Sequence, residues 1–570
     1  MLNIRRSNNI LLCSLFFLTA LISSNVWCNT DRFIIVGSGM AGAMEAYHAF
    51  LDAKKNNQSL CITMYEQNKS LGDTTVSNIA PSLTPDEILS VVPRGQELVK
   101  KIQILFSEPG GIRVDDVRGI QGTRATEQFQ QQAQLYSMDE VGHNQRTQCL
   151  LELGKMSMDM WQKLYEDADA ELKEILKSSN FNACYEPTTK GPRSLCNGYR
   201  IDLIYNVSNA KARALSMKQD YESLGYNQCA LLTPDQVTAL DPFLADFCNA
   251  HSTKNNGQLE WNHDAIALWR PGGCLDAQVF LPKLYAYLTK HMGTYTNAQG
   301  KIENRFQIKF GTKITGLDFA HTNNGQTIIS QLHAQNGQTV NLVDQHGATS
   351  QCVFCPGESV GTMKNLGLQE PAYAGFAGAS LMFTIDIPKS KMLSCAKFRH
   401  CMEVHQEGVV LAWQARFRDN KIFIAVAGTK AFYSDRKPNK NEDFAKNRNL
   451  LQLNMVNDVL PEFISWALER DTKGQTLTER DLSILEDKGI VTRWAGTRAV
   501  VYDGFPTLGC VYTQDHNKIA NARCTTHLGS GGVSFAPAAI AISRSAFDKQ
   551  DNINSFAQTV LRYADSTRSV

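Results

Sequence analysis

The sequence predicts an α/β chain, α+β overall, in which a parallel α/β unit built from discontinuous segments is joined to a second unit with a mostly antiparallel sheet. Three stretches carry that prediction. Arg32 to Gly42 (RFIIVGSGMAG) places a glycine-rich turn between an apolar run and a helical pattern, several strand-like runs fall between 379 and 430, and a second glycine-rich turn at 527 to 537 precedes another helical pattern.

Residues 1–28 stand apart from the rest. Arg5 and Arg6 precede the apolar run Ile10 to Ile22, which is shorter than the roughly 20 residues a bilayer span needs, and the polar stretch Ser23, Ser24, Asn25 follows. This is a secretory signal pattern, with Val26 and Cys28 small enough to flank a cleavage site. The expectation is an exported protein of the bacterial periplasm; an uncleaved signal would instead act as an N-terminal anchor and give peripheral membrane association. The sequence does not choose between the general and twin-arginine export routes.

Phe33 to Val36 read as a buried parallel strand, Ala43 to Ala53 as a helix, and Leu60 to Tyr65 as a second strand. Between strand and helix, Gly37 permits the tight turn, Gly39 lets backbone approach a pyrophosphate and Gly42 allows close helix packing; Ser38, Met40 and Ala41 fill the same turn. Glu66, followed by Gln67, ends the second strand 24 residues after Gly42, where such Rossmann-like units place the acid that binds ribose hydroxyls. This first segment, 29–94, is therefore a dinucleotide-binding unit.

The stretch 68–85 is rich in turn formers and reads as a long loop beside that site. Region 95–265 reads as a helical, substrate-side insertion, with one helix expected over Gln148 to Lys177 and a helix start at Thr233-Pro234. Segment 266–370 returns to the nucleotide unit through a helix after Leu275, alternating strands from Phe306 to Phe319 and a buried strand ending at Gly357. Segment 371–490 holds the strand-like runs of the second sheet, the natural substrate domain. Segment 491–570 closes the nucleotide unit and adds a C-terminal helix.

A net charge of +1 supplies no field to attract nucleic acid, which is excluded as a partner. Loss of residues 1–28 would leave 13 cysteines, an odd number, so at least one thiol stays free. Cys352 and Cys355 have CxxC spacing without a second pair and read as core, and no metal site is expected. Cys184 to Cys196 and Cys395 to Cys401 have spacings compatible with local disulfides.

The order of these blocks resembles the FAD-dependent D-amino-acid oxidase/dehydrogenase superfamily, nearest in its motifs to bacterial D-amino-acid dehydrogenases. The resemblance rests on the glycine turn with Glu66, the loop Gly72 to Pro81 (GDTTVSNIAP), Gly357 after CVFCP, Trp494 to Gly509 (WAGTRAVVYDGFPTLG) and His527 to Pro537 (HLGSGGVSFAP). It implies FAD as cofactor, with Thr74, Thr75 and Asn78 on the flavin side, Ile314 at the adenine and Gly357 beside the flavin.

Gly529, Gly531 and Gly532, near a helix start, would present backbone N–H groups to the flavin pyrimidine edge. Arg498 is the candidate for the substrate carboxylate, since a guanidinium holds a carboxylate bidentately, and His527 is the second catalytic candidate. The implied activity is oxidation of the CH–NH bond of an amino acid or amine, with a quinone or O2 as electron acceptor. The alternative is an FAD-containing binding or assembly protein whose flavin is structural.

Overall fold

The computed structural model describes residues 31–71, 82–83, 113–114, 131–132, 135, 138–179, 181, 199–223 and 229–567, the last with short breaks. The expected signal at 1–28 lies outside the described residues, as do Cys184, Cys196 and Cys395. Among the described residues no helix is long and apolar enough to cross a membrane.

The strand Asp31–Val36 pairs in parallel with Leu60–Tyr65 on one side and with Gln351–Phe354 on the other. Beyond Gln351–Phe354 lies the late strand Lys518–Thr526, also parallel, and then Thr327–Ala334 and Ile314–His321. The first and last parts of the chain thus meet in the middle of one sheet. Its strands are buried on both faces and correspondingly apolar, with Ile35, Ile62, Val353 and Ala522 all enclosed.

The helix Met40–Lys55 follows the glycine turn directly and buries Met40, Ala43, Met44, Tyr47 and Phe50. It packs on the helix Ala277–Met292 through Phe280, Leu281, Leu284 and Leu288. One residue on its buried side is charged. Glu45 is fully buried and meets Arg523 of the late strand in a bidentate pair, one arm of 2.5 Å, while the Thr525 hydroxyl donates to it at 3.2 Å.

The single helix expected over Gln148 to Lys177 is two helices, Glu140–Asp167 and Ala170–Ser178. Ala168 turns extended (ψ 142°), and the Asp169 side chain caps the second helix by accepting from Leu172 N–H at 2.8 Å. The apolar period runs through the break, which is why periodicity alone joins the two. The first of these helices braces the C-terminal turn: Ser157 Oγ and Trp161 Nε1 both donate to the carbonyl of Ser534, at 2.6 and 3.2 Å.

The second sheet runs Val491–Val501, Tyr373–Asp386, Lys421–Tyr433, Val409–Arg418, Arg399–Gln406, Tyr199–Ile204, Ile266–Pro271, Ala230–Leu232. It is antiparallel except where Tyr199–Ile204 joins Arg399–Gln406 and where the short strand Arg113–Val114 joins Lys421–Tyr433. Region 95–265, read as helical, therefore supplies three of its strands, Arg113–Val114, Tyr199–Ile204 and Ala230–Leu232. The sequence YRIDLI alternates, but its Arg and Asp positions look solvent-facing until their ion pairs are seen. The Thr233-Pro234 helix start is present, as a capping box on Pro234–Leu240.

One face of this sheet carries Leu381, Phe383, Val404, Leu411, Trp413 and Ile424 into a core with the helices Asp443–Val459, Pro461–Leu468 and Glu479–Asp487. The pleat turns Gln414 and Arg416 to the other face. Arg416 pairs there with Asp276, the N-cap of the helix Ala277–Met292, so this face is turned toward the helix that packs on the first sheet.

Candidate dinucleotide site

Three loops that leave the carboxyl ends of adjacent parallel strands form the site: Val36 into Gly37, Phe354 into Gly357 and Thr526 into His527. Val36 is registered with Phe354, and Phe354 with Cys524. Ligands of open parallel sheets bind at such ends.

The glycines of the first turn are required for different reasons. Gly37 has φ +107°, and a Cβ there would lie 2.1 Å from the Cys355 carbonyl oxygen; a Cβ on Gly42 would lie 2.1 Å from the Gly37 carbonyl oxygen. Both are fixed by close packing within the protein. A Cβ on Gly39 would meet nothing within 4 Å, and no side chain caps the helix that Gly39 begins. An open, uncapped helix N-terminus is the form a pyrophosphate cradle takes.

Glu66 is buried, and one of its carboxylate oxygens accepts from both Ser38 N–H (2.9 Å) and Ser38 Oγ (2.8 Å), while the other accepts from Asn68 N–H (2.8 Å). The turn and the acid are thereby locked together. The Tyr285 hydroxyl donates to Ser38 O at 2.7 Å, and burial raises that phenol well above its usual value. A cleft opens beside Glu66 and Gln67, lined also by Gly37, Lys313, Ile314 and Pro356. Gly37, Ser38, Gly39, Met40, Ala41, Gly42, Glu66, Gln67 and Ile314 are thus brought together, and Gly357 (φ +61°) follows Pro356 at the same edge. Lys313 was not singled out from sequence, since it belongs to no spaced motif. These residues fit the adenosine and pyrophosphate half of a dinucleotide.

Thr74, Thr75, Asn78 and Gly531 lie outside the described residues. Arg498 sits in the strand Val491–Val501 opposite Phe376, and its side chain is outside the description as well. Gly529 (φ +57°) lies against Val500 of that same strand: a Cβ on Gly529 would stand 3.7 Å from Val500 Cγ2. Gly532 stands just ahead of the helix Ala536–Phe547.

His527 follows the late strand at the start of the C-terminal turn. Its ring is enclosed, with Nδ1 2.9 Å from Thr507 Oγ1 and Nε2 3.0 Å from Glu370 Oε1. Both nitrogens are engaged by protein groups, so the ring acts as a strut beneath the turn. Its backbone, at φ +56°, adopts the left-handed region uncommon for a side-chain-bearing residue.

Cys352 and Cys355 are buried and free, and burial pushes both thiols up, against the thiolate form that metal or redox chemistry uses. Asp202, Glu403 and His405 form a cluster of metal-ligand type on the second sheet. Arg200 and Arg270 bridge the two carboxylates, with Arg200 Nη2 and Arg270 Nη2 at 2.8 and 2.9 Å from Glu403 Oε2. Burial alone would raise the Glu403 carboxyl, but Arg200, the His405 hydrogen bond and Arg270 hold it well below the usual carboxylate range. Two guanidiniums occupy the place a cation would take.

No protein-family model matches the chain, and no curated protein matches it. Among solved structures, the glycine oxidase from Bacillus cereus is 14% identical with a TM-score of 0.51, and the match covers 95% of this chain and 99% of that one. The chain has the fold of that glycine oxidase. The L-amino acid deaminase from Proteus vulgaris (12% identical, TM-score 0.46, 95% and 97% covered) and the fructosyl peptide oxidase from E. terrenum (12%, 0.49, 93% and 92%) also match.

Proposed function

We propose that this chain is an FAD-dependent oxidoreductase that oxidises the CH–NH bond of an amino acid or related amine to an imine, which water hydrolyses to a 2-oxo acid and ammonia. One observation carries the reading: the glycine turn at 37–42, Gly357 and the turn at 527–532 leave neighbouring strands at one edge of one sheet, although nearly 500 residues separate the first from the last. A cofactor spanning both ends of the chain fits that edge, whereas a nicotinamide dinucleotide would call on the first turn chiefly.

Gly37 to Gly42 and Glu66 would hold the ADP half, and the turn with Gly529 and Gly532 would face the isoalloxazine. When bound, FAD supplies the hydride acceptor. Arg498 would orient the substrate carboxylate through a bidentate contact. His527 is assigned a positioning role, holding the shape of its turn through Thr507 and Glu370. The signal-like segment Arg5 to Cys28 supports export, with O2 or a quinone as the terminal acceptor.

The test is extraction of a yellow cofactor absorbing at about 450 nm, followed by anaerobic addition of D- and L-amino acids, glycine, sarcosine and proline. Bleaching that is lost in Arg498→Ala is the expected result. A bound flavin that no amine reduces would instead support the binding or assembly role.

A further inference from the structure

We propose that Lys69, Lys309 and Lys313 form an electrostatic entry for the cofactor, drawing its pyrophosphate dianion toward the cleft and setting how fast it is captured. The proposal rests on the FAD reading above. Lys313 is exposed and lines the cleft beside Glu66 and Gln67. Lys309 holds its ammonium 5.4 Å from the centre of the Tyr65 ring, and Tyr65 lines the same cleft. Lys69, also exposed, follows Asn68.

Backbone hydrogen bonds fix these residues around the opening. Glu66 N–H donates to Lys309 O at 3.0 Å, Thr312 N–H to Glu66 O at 2.7 Å and Gly311 N–H to Asn68 O at 2.8 Å. The segments 66–68 and 309–312 are thereby laced together. Lys69 stands at the end of one, and Lys309 and Lys313 stand at either end of the other.

None of the three ammonium groups has an ion pair or a hydrogen bond among the described residues. Lys290, Lys391, Lys473 and Lys488, by contrast, each have a carboxylate partner. Glu66, the carboxylate that lines the cleft, is buried and offsets only one of the three charges. Positive charge is therefore in excess at this opening, on a chain whose net charge is only +1. A cleft lined by one sign of charge raises the encounter rate of an opposite charge about 10- to 1,000-fold, and salt removes the gain. The lysines act on arrival, whereas the N–H groups of the glycine turn hold the pyrophosphate once it has docked.

The test dilutes the flavin-loaded protein and follows the fluorescence of released FAD, which gives koff and Kd, and from them kon, without stripping the cofactor. In the wild type kon should fall about 10-fold from low to high salt while koff changes little. With Lys69→Gln, Lys309→Gln and Lys313→Gln combined, kon at low salt should already equal that of the wild type at high salt. The corresponding triple arginine variant should keep the full salt response, and it covers the case in which loss of charge impairs folding. Riboflavin, which lacks the pyrophosphate, should bind without a salt response. A kon that ignores salt and the glutamine substitutions, or a loss that falls wholly on koff, overturns the proposal and leaves the oxidoreductase reading intact. If the protein carries no flavin but binds ADP in calorimetry with the same dependence on salt and on the lysines, the oxidoreductase reading fails and the electrostatic entry stands.

Discussion

His527 Nε2 stands 3.0 Å from Glu370 Oε1, in a contact sealed from solvent on both sides. The other Glu370 oxygen accepts from Lys364 N–H at 3.2 Å, so one carboxylate ties the C-terminal turn to the helix Thr362–Asn365. Glu370→Ala leaves a buried imidazole N–H without its acceptor, at a cost of about 1–3 kcal/mol. The turn carrying Gly529 should loosen with it. Flavin-to-protein ratio and thermal midpoint should fall together, with partial rescue by Glu370→Gln. A lowered midpoint with full flavin retention would separate this strut from the cofactor site.

The glycine turn gives a sharper contrast. Gly39→Ala meets no protein atom, and Gly39 has φ −71°, so the folded chain should keep its stability to within about 1 kcal/mol while losing the cofactor. Gly37→Ala and Gly42→Ala collide with backbone oxygens and should yield little folded protein. Circular dichroism melting and flavin content on the three variants check both halves. Equal flavin content in Gly39→Ala and wild type would exclude a pyrophosphate from this turn.

Glu45 holds Arg523 of the late strand with both carboxylate oxygens. Glu45→Gln removes one charge of a buried pair, and about 3–5 kcal/mol should disappear from the unfolding free energy measured in urea. Replacing both partners by apolar residues should recover part of that loss, because the stranded guanidinium, rather than the missing attraction, dominates the single variant.

Acidification should act through His405. Burial lowers the affinity of its ring for a proton, and the hydrogen bond to Glu403 does not restore it. The unfolded ring takes up a proton near pH 6.5, so the His405 contribution to stability is complete above that pH and is lost as pH falls toward the depressed folded value. His48 and His251 are shifted in the same direction by burial. Unfolding free energies between pH 7 and 5 should therefore decline in the wild type and decline less steeply in His405→Gln. An unchanged slope would assign the effect to the other two rings.

Much of the nucleotide half is legible from sequence because its signals are local. Gly37, Gly42 and Glu66 fall within one short βαβ unit, where each spacing has a steric or hydrogen-bonding reason. The second sheet is less so. Arg200 and Asp202 in the strand Tyr199–Ile204 read as exposed positions, and only their partners Glu403 and Arg270, far away in the chain, make them interior. Glu45 and Arg523, or Glu370 and His527, cannot be paired by any period. The break at Ala168 was hidden by an apolar pattern that continues across it, although Asp169, three residues before Leu172, was a capping signal that could have been used.

The late strand Lys518–Thr526 lies between Gln351–Phe354 and Thr327–Ala334, inside the sheet and not at its rim. On a ribosome, everything up to Phe354 can emerge and still present an unfilled slot of bare backbone amides and carbonyls. That slot closes only when almost the whole polypeptide has left the tunnel. Premature termination would therefore cost far more than the few residues it removes, and the nascent chain carries a lasting opportunity for wrong strand pairing. A cofactor held at the ends of these strands would be captured only after synthesis.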